Sequence, residues 1–228
     1  MTETNLLQSI WLRVLEIAPQ LTKATYETLL MVMIALSIAA VIGIPLGVLL
    51  VITRPGHIWE QKWFYKIANL IINIIRAIPF IILMFAITPF TRLIVGTTIQ
   101  LKGAIVPLVV FTAPFIARVT ESALLEVNKG IIEAFLAMGA SPWQIITKVL
   151  LKETRSTMVL GMTISAISLI GASAMAGVVG GGGLGDLAIR YGYQRYEGDV
   201  MVVTLAVLII MVMGMQNIGN SIAKKLKK

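Results

Sequence analysis

The sequence contains no cysteine, a single histidine and few charged residues. Without cysteine the chain can form neither a disulfide nor a thiolate metal site, and His57 alone cannot supply the His-Glu-x-x-His pattern of zinc proteases. Charged residues make up only 13% of the chain and hydrophobic residues 57%, with a mean hydropathy of +0.90. These proportions exclude an ordinary soluble domain and indicate an integral membrane protein.

Motifs that bind nucleotides or perform catalysis are also missing. The P-loop pattern Gly-x-x-x-x-Gly-Lys-Ser/Thr does not occur, so we expect ATP to bind elsewhere than in this chain. Residues 180–185 match Gly-x-Gly-x-x-Gly but follow a long apolar run rather than a strand, which predicts a flexible turn. Ser173 has no histidine in any apolar run to activate it. We therefore expect no catalytic residue, no metal site and no cofactor in this chain.

Apolar runs long enough to cross a bilayer occur five times, which predicts an all-α integral membrane protein with five transmembrane helices. The third run is the weakest, because Arg118 interrupts it. We expect residues 1–24 to form an interfacial segment and residues 221–228 a basic cytoplasmic tail. The predicted spans are about 29–52, 67–90, 103–123, 157–178 and 200–222.

The distribution of Lys and Arg predicts the orientation of these spans. With the C-terminus in the cytoplasm, the inner segments hold 12 of the 19 basic residues and the outer segments hold six. The positive-inside rule therefore places the N-terminus outside and the loop at 126–153 in the cytoplasm. The net charge is +8, and the basic residues lie mostly beside the spans. This position favours anionic lipid over nucleic acid as their partner.

Two features suggest a pathway through the membrane. Arg76 lies within the second predicted span, where a charge is costly, so we expect it to face the protein interior rather than to reach the interface. Small residues recur along the fourth span and predict a closely packed, central helix; they are Gly161, Ser165, Ser168, Ala172 and Ala176. Met175 lies beside them and is either a gate or a packing residue. The candidate pathway residues are Arg76, Ser168, Ala172 and Met175.

The pattern of the loop at 126–153 predicts two short helices joined by a glycine. Apolar residues at helical spacing predict one apolar face on the first helix; they are Ile131, Ala134, Phe135 and Met138. Gly139 supplies a left-handed end for that helix. Ser141, Pro142 and Gln144 then predict an N-cap, a first-turn proline and a capping box. The second helix has its own apolar face, predicted from Trp143, Ile146, Val149 and Leu150.

This loop resembles the Glu-Ala-Ala loop of ABC importer permeases. Glu133, Ala134 and Gly139 match that signature, whereas Phe135 replaces its second alanine and Lys152 stands where the family usually has proline. The resemblance implies a coupling helix that docks into a groove of a separate cytoplasmic ATPase subunit. The residues expected at that contact are Glu133, Ala134, Phe135, Met138, Gly139, Ala140, Ser141 and Pro142.

Longer strings resemble the methionine-importer permeases of bacteria over most of residues 25–220. They are RAIPFIIL, PFTRLIVGT, GAIVPL, APFIARVTESALLEV and VVGGGGLGDLAIRYGY. The resemblance implies a type I importer permease domain in the bacterial inner membrane that moves L- and D-methionine by alternating access. It also implies a homodimer, two ATPase subunits that bind ATP and Mg, and an extracytoplasmic substrate-binding lipoprotein.

Other functions stay open from the sequence alone. The substrate could be another small amino acid or a dipeptide. An ion-coupled carrier would need acidic residues within its spans, and we expect none in the span cores. A membrane scaffold would need no ATPase, and an amphipathic loop can simply lie on the membrane surface.

Overall fold

The computed structural model describes the backbone of residues 3–227 and the side chains of residues 16–227; residues 1, 2 and 228 lie outside it. Most of the interfacial segment predicted at residues 1–24 therefore lacks described side chains, although its backbone from Glu3 belongs to the first helix. Every regular element among the described residues is helical, and two of the elements are π-helical turns. The long and intermediate helices are α1 Glu3–Thr53, α2 Lys62–Ala77, α3 Phe80–Ala86, α4 Thr88–Val95, α5 Gln100–Leu125, α6 Lys129–Ala137, α9 Arg155–Val178 and α11 Gly198–Leu226. The short helices are α7 Pro142–Gln144, α8 Leu151–Glu153 and α10 Gly183–Leu187, and the π-helical turns are Ile145–Leu150 and Ala188–Tyr193.

Four of the described helices are long and apolar enough to cross a membrane, and a fifth span is present if the bent pair α2 and α3 counts as one. The pair bends by 107°. Ile78, at the bend, is extended (φ −82°, ψ 125°) because the ring of Pro79 disfavours a helical conformation in the residue before it. The stretch predicted as the second span, 67–90, is thus divided among three helices.

The chain folds into two compact units. The first comprises Met1–Ala35, Phe80–Leu108 and Ile167–Gly214, and the second comprises Leu36–Pro79, Val109–Ala166 and Met215–Lys228. An apolar cluster in the first unit joins α1 to α10 and α11 through Ile17, Ala24, Leu184, Leu187 and Val200.

In the second unit α1 packs closely on α5, because Gly43 and Gly47 have no side chains to keep the two backbones apart. A Cβ atom at either glycine would lie 2.6 Å from a carbonyl oxygen of α5, that of Ala113 or that of Ala117.

A buried acidic residue lies within α5, contrary to the expectation that no span core contains one. Glu121 is 3% exposed, and its carboxylate accepts a hydrogen bond from Arg118 Nη1 at 2.5 Å. Arg118 Nη2 also donates to the Oδ1 atoms of Asn69 and Asn73 in α2, at 2.5 and 2.8 Å. A charge is tolerated at this depth because it is paired and hydrogen-bonded. The network ties α5 to α2.

The glycine-rich stretch at 180–185 is only partly the flexible turn that the sequence predicts. Gly180 and Gly182 have positive φ and form a turn, but α10 begins at Gly183 and its five residues are all buried. Glu27 and Thr28 of α1 accept hydrogen bonds from the first two N–H groups of α10, each at 2.9 Å. The prediction fails because packing against α1, which no local pattern encodes, orders the glycines.

Candidate functional site

The loop at residues 126–153, here called the elbow, consists of α6, a glycine turn, α7, the first π-helical turn and α8. The Oδ1 atom of Asn128 accepts a hydrogen bond from the N–H of Gly130 at 2.8 Å and so caps α6. Gly139 ends the helix with φ 78°. Its N–H donates to the carbonyl of Leu136, and the N–H of Ala140 donates to that of Phe135. This pair of bonds is a Schellman motif, so the predicted left-handed end at Gly139 is confirmed.

The second half of the elbow begins with the predicted capping box. Ser141 Oγ accepts from the N–H of Gln144 at 3.3 Å, and Gln144 Oε1 accepts from the N–H of Ser141 at 2.9 Å. Pro142 occupies the first turn, where its missing N–H costs nothing. The predicted start of the second helix is therefore confirmed, and local residues alone determine it.

The elbow is anchored within the second unit through one apolar row. Ile132 is buried and Phe135 half-buried, and the π-helical turn buries its own apolar residues. These side chains pack against the ends of α1 and α5. For the second helix, burial is confirmed at Ile146, Val149 and Leu150 but not at Trp143.

The apolar face predicted for α6 packs on the chain's own core only in part. Of its four residues only Phe135 contacts the anchoring cluster, whereas Ile131, Ala134 and Met138 are exposed. The anchor uses a narrower strip of the helix, centred on Ile132, and leaves apolar residues uncovered on both sides of that strip, Ile131 and Met138 on one side and Leu136 on the other. The exposed apolar side chains, here called the apolar patch, are Ile131 (40% exposed), Leu136 (45%), Met138 (72%) and Trp143 (71%).

An exposed apolar patch of this kind on a short, rigidly capped helix pair is typical of a protein interface. Glu133 and Gly139 are exposed on the same elbow, as are Ser141 and Pro142, and Ala140 is half-buried. The eight residues expected at the contact thus lie together on one element, and none of them is deeply buried.

Three of the four candidate pathway residues are exposed, and the fourth is buried. Arg76 belongs to the second unit, is exposed, and carries its guanidinium carbon 5.9 Å from the centroid of the Phe115 ring. Ser168 and Met175 are exposed on α9, seven residues apart and so on one face of the helix. Ala172 is 5% exposed and therefore lies on the packed side.

A polar cavity of about 660 Å³, which the sequence does not predict, lies in the first unit. Its charged lining residues are Lys23, Glu27, Asp186 and Arg190. The guanidinium of Arg190 donates to the carboxylate of Asp186, and this hydrogen bond raises the pKa of Arg190, so Arg190 stays ionised. The i,i+4 spacing of Asp186 and Arg190 is a local signal, but Glu27, which accepts a hydrogen bond from the N–H of Gly183, lies 156 residues before that glycine.

Among the described residues no three His, Asp or Glu side chains lie close enough together to hold a metal ion.

Comparison with known proteins gives concordant matches. The family model described as "Binding-protein-dependent transport system inner membrane component" matches residues 39–224. The "Probable D-methionine transport system permease protein MetI" of Vibrio cholerae is 48% identical over 205 residues, which are 90% of this chain and 91% of that protein.

Solved structures share the fold. A chain of the MetNI methionine ABC transporter, in a crystal form that captures inward-facing conformations, superposes with a TM-score of 0.90 and 46% identity, over 100% of both chains. An amino acid ABC transporter solved with histidines gives a TM-score of 0.78 at 16% identity, covers 94% of this chain and 97% of its own, and supports the fold alone. The predicted all-α membrane fold of a type I importer permease is confirmed. The chain belongs to the family of inner-membrane components of binding-protein-dependent transport systems.

Proposed function

We propose that this chain is the permease subunit of an ATP-driven importer that carries methionine, as both the L and D forms, across the bacterial cytoplasmic membrane. The observation that carries this proposal is the likeness along the whole chain to a subunit of a methionine ABC transporter. Energy comes from a separate ATPase subunit, which binds ATP and Mg. This chain performs no hydrolysis of its own.

The elbow is the proposed contact with that ATPase. Burying its apolar patch in a partner would remove about 1.5–3 kcal/mol of unfavourable hydration for each large side chain, and the Schellman motif and capping box hold the patch in a fixed shape. Because α6 and the π-helical turn pack on the ends of α1 and α5, a displacement of the elbow is transmitted to membrane helices. Closure of two ATPase subunits around ATP then opens the pathway outward, and hydrolysis resets it.

The pathway is proposed to run along the exposed face of α9 in a homodimer. Ser168 and Met175 lie on that face, where a second copy of the chain would cover them, and Met175 is flexible enough to close a narrow passage. Arg76, the remaining candidate, lies in the second unit, and its part in the pathway stays a prediction. Ala172 lies on the packed side of α9, where its small side chain allows the helix to pack closely.

The polar cavity of the first unit is proposed to face outward and to receive the substrate-binding lipoprotein. Its lining carries charges of both signs, Lys23 and Arg190 against Glu27 and Asp186. Such a surface fixes the register of a polar partner. This arrangement agrees with an N-terminus outside and a C-terminus in the cytoplasm.

An ion-coupled carrier is the second candidate, because Glu121 provides an acidic residue within a span. Its carboxylate is, however, already paired with Arg118. A carboxyl group that couples transport to protons must leave its ion-pair partner in order to be protonated. The pairing therefore favours a structural role for Glu121 and the ATP-driven mechanism.

Uptake of labelled L-methionine into vesicles tests the function directly. The vesicles hold the permease, its co-purifying ATPase and the binding protein. We expect uptake that requires ATP on the ATPase side of the membrane and that unlabelled D-methionine inhibits. Stronger inhibition by another amino acid or a dipeptide would contradict the substrate. Uptake driven by a proton gradient without the ATPase would contradict the mechanism.

The apolar patch is tested by replacing Met138 and Trp143 with serine. The reference variant is Tyr196→Ser, which alters a side chain that is 90% exposed and lies in the first unit. We expect each patch variant to weaken ATPase binding at least tenfold, because loss of about 1.5 kcal/mol of apolar burial corresponds to that factor. Equal affinity for all three variants would exclude the elbow as the contact.

A further inference from the structure

A recess lies beside the elbow, between the loop that follows α1 and the first turns of α6. Its volume is about 240 Å³, which suits a single side chain rather than a chain segment. The lining residues are Gly56, His57, Ile58, Lys129, Ile132, Glu133 and Leu136. Four of these residues, from Lys129 to Leu136, belong to the elbow, and Leu136 also belongs to the apolar patch, so a protein bound on this side of α6 would reach the recess.

The loop is held by backbone hydrogen bonds, from Trp59 to Ile52 and from Gln61 to Thr53, each at 2.9 Å, and by the side chain of Glu60. Its carboxylate accepts the N–H of Gly56 at 2.9 Å and lies 3.1 Å from the ammonium of Lys62. These contacts lower the pKa of Glu60 and keep it charged. The loop wall of the recess is therefore preorganised, and Glu60 is already engaged outside the recess.

His57 is the unusual residue of the recess. Its Nδ1 atom is buried and has no hydrogen-bond partner among the described residues, although buried polar atoms nearly always have one. Burial lowers the pKa of His57, and the positive charges of Lys129 and Arg54 lower it further. Two cations thus act on the imidazole.

The charged groups of α6 at the recess are unpaired as well. Within residues 16–227, neither Lys129 nor Glu133 forms an ion pair. Lys129 begins α6 and Glu133 follows one turn later. The lining of the recess therefore carries a positive charge from Lys129 and a negative charge from Glu133.

We propose that this recess is a second contact for the ATPase subunit and receives an acidic side chain of that subunit, between the imidazole of His57 and the ammonium of Lys129. The inference depends on the proposed function, since it requires an ATPase on the elbow. An entering carboxylate offsets the two cations and gives His57 a charged neighbour of opposite sign. The loop after α1 thereby joins the elbow in recognising the partner.

His57 is the only histidine of the chain, so a permease labelled with 15N-histidine in neutral-lipid nanodiscs gives one imidazole to titrate by NMR. We expect addition of the unlabelled ATPase to raise the pKa of His57 by about one unit, because a nearby carboxylate stabilises the imidazolium. A further fall in the pKa would mean an apolar or cationic occupant, and an unchanged pKa would mean that the recess lies outside the interface. Either result overturns the proposal. So does a rise caused by anionic lipid without the ATPase.

Variants separate this inference from the proposed function. We expect Lys129→Ala to weaken ATPase binding about tenfold and to reduce the dependence of binding on salt. The control is Gln61→Ala, in the loop after α1. The side chain of Gln61 is exposed and makes no capping hydrogen bond to α2, so this change should leave both the affinity and its salt dependence unchanged. If Trp143→Ser weakens binding and Lys129→Ala does not, the recess is excluded and the elbow stands. If neither variant weakens binding, the elbow contact itself fails.

Discussion

The elbow and the glycine tract, defined as residues 178–193, have similar local structures but opposite surroundings. Each contains a glycine of positive φ, a short α-helix and a six-residue π-helical turn. In the elbow, Gly139 has open space around it, and a Cβ added there would have no neighbouring atom within 4 Å. In the tract, a Cβ at Gly183 would lie 2.6 Å from Thr28 Oγ1. Glycine is thus required in the elbow by the dihedral angle alone, and in the tract by packing as well.

This difference separates an exposed surface, which we propose binds a partner, from a buried structural joint. The elbow leaves Met138 and Trp143 exposed, whereas α10 is buried along its whole length. Substitutions in the tract should therefore lower stability, and those in the elbow should mainly affect partner binding. Four changes in the free energy of unfolding, measured by denaturant titration of the detergent-solubilised permease, test that contrast.

The largest effect is expected for Gly185→Ala. The added Cβ would overlap the backbone of Ala174 in α9, which cannot move as a flexible side chain can, so we expect a loss of about 3 kcal/mol. Gly198→Ala is the matched control, because it has open space and no positive φ. Equal stability of the two variants would mean that the tract is not tightly packed.

Thr28→Val should cost about 2 kcal/mol. The change keeps the side-chain volume but leaves the buried N–H of Leu184 without its acceptor. Thr25→Val serves as the control, because the Thr25 hydroxyl only donates to Leu21 of its own helix. A loss as small as that of the control would show that water replaces the hydroxyl and that α10 is accessible.

Gly139→Ala should cost about 1 kcal/mol, because a residue with a Cβ is strained at φ 78° although nothing obstructs it. Gly214→Ala, a helical glycine in open space, should be neutral or slightly stabilising. A loss for Gly139→Ala as large as that for Gly185→Ala would remove the distinction between the two regions.

The smallest effect is expected for Ser141→Ala, about 0.5 kcal/mol, at the low end of N-cap replacements. Its partner, the N–H of Gln144, is exposed and can bond to water instead. Gln144→Ala removes the other half of the capping box and should cost a similar amount. A loss near 2 kcal/mol in either variant would show that the elbow is as rigidly built into the fold as the tract.

What the sequence predicts correctly is local. Gly139, Ser141 and Pro142 specify their own turn and helix start through backbone conformation and adjacent hydrogen bonds, so neighbouring residues are sufficient. The order of apolar runs likewise predicts an all-helical membrane fold, because the bilayer imposes a minimum span length.

What the sequence does not predict depends on residues far apart in the chain. Glu121 is accommodated through Arg118 by Asn69 and Asn73, more than 40 residues away, and α10 is ordered by Glu27 and Thr28. Periodicity also fails to identify the exposed apolar residues of α6, because it cannot distinguish an apolar residue that packs in the chain's own core from one that is left for a partner.

Methionine uptake by the assembled transporter with Gly139→Pro tests the central claim most directly. Proline fixes φ near −65°, which is incompatible with the 78° of Gly139, and it removes the N–H that donates to Leu136. The proposal that the elbow couples the ATPase to the membrane helices predicts loss of uptake in a permease that still folds, with Gly139→Ala intermediate. Uptake at the wild-type rate with Gly139→Pro would contradict it.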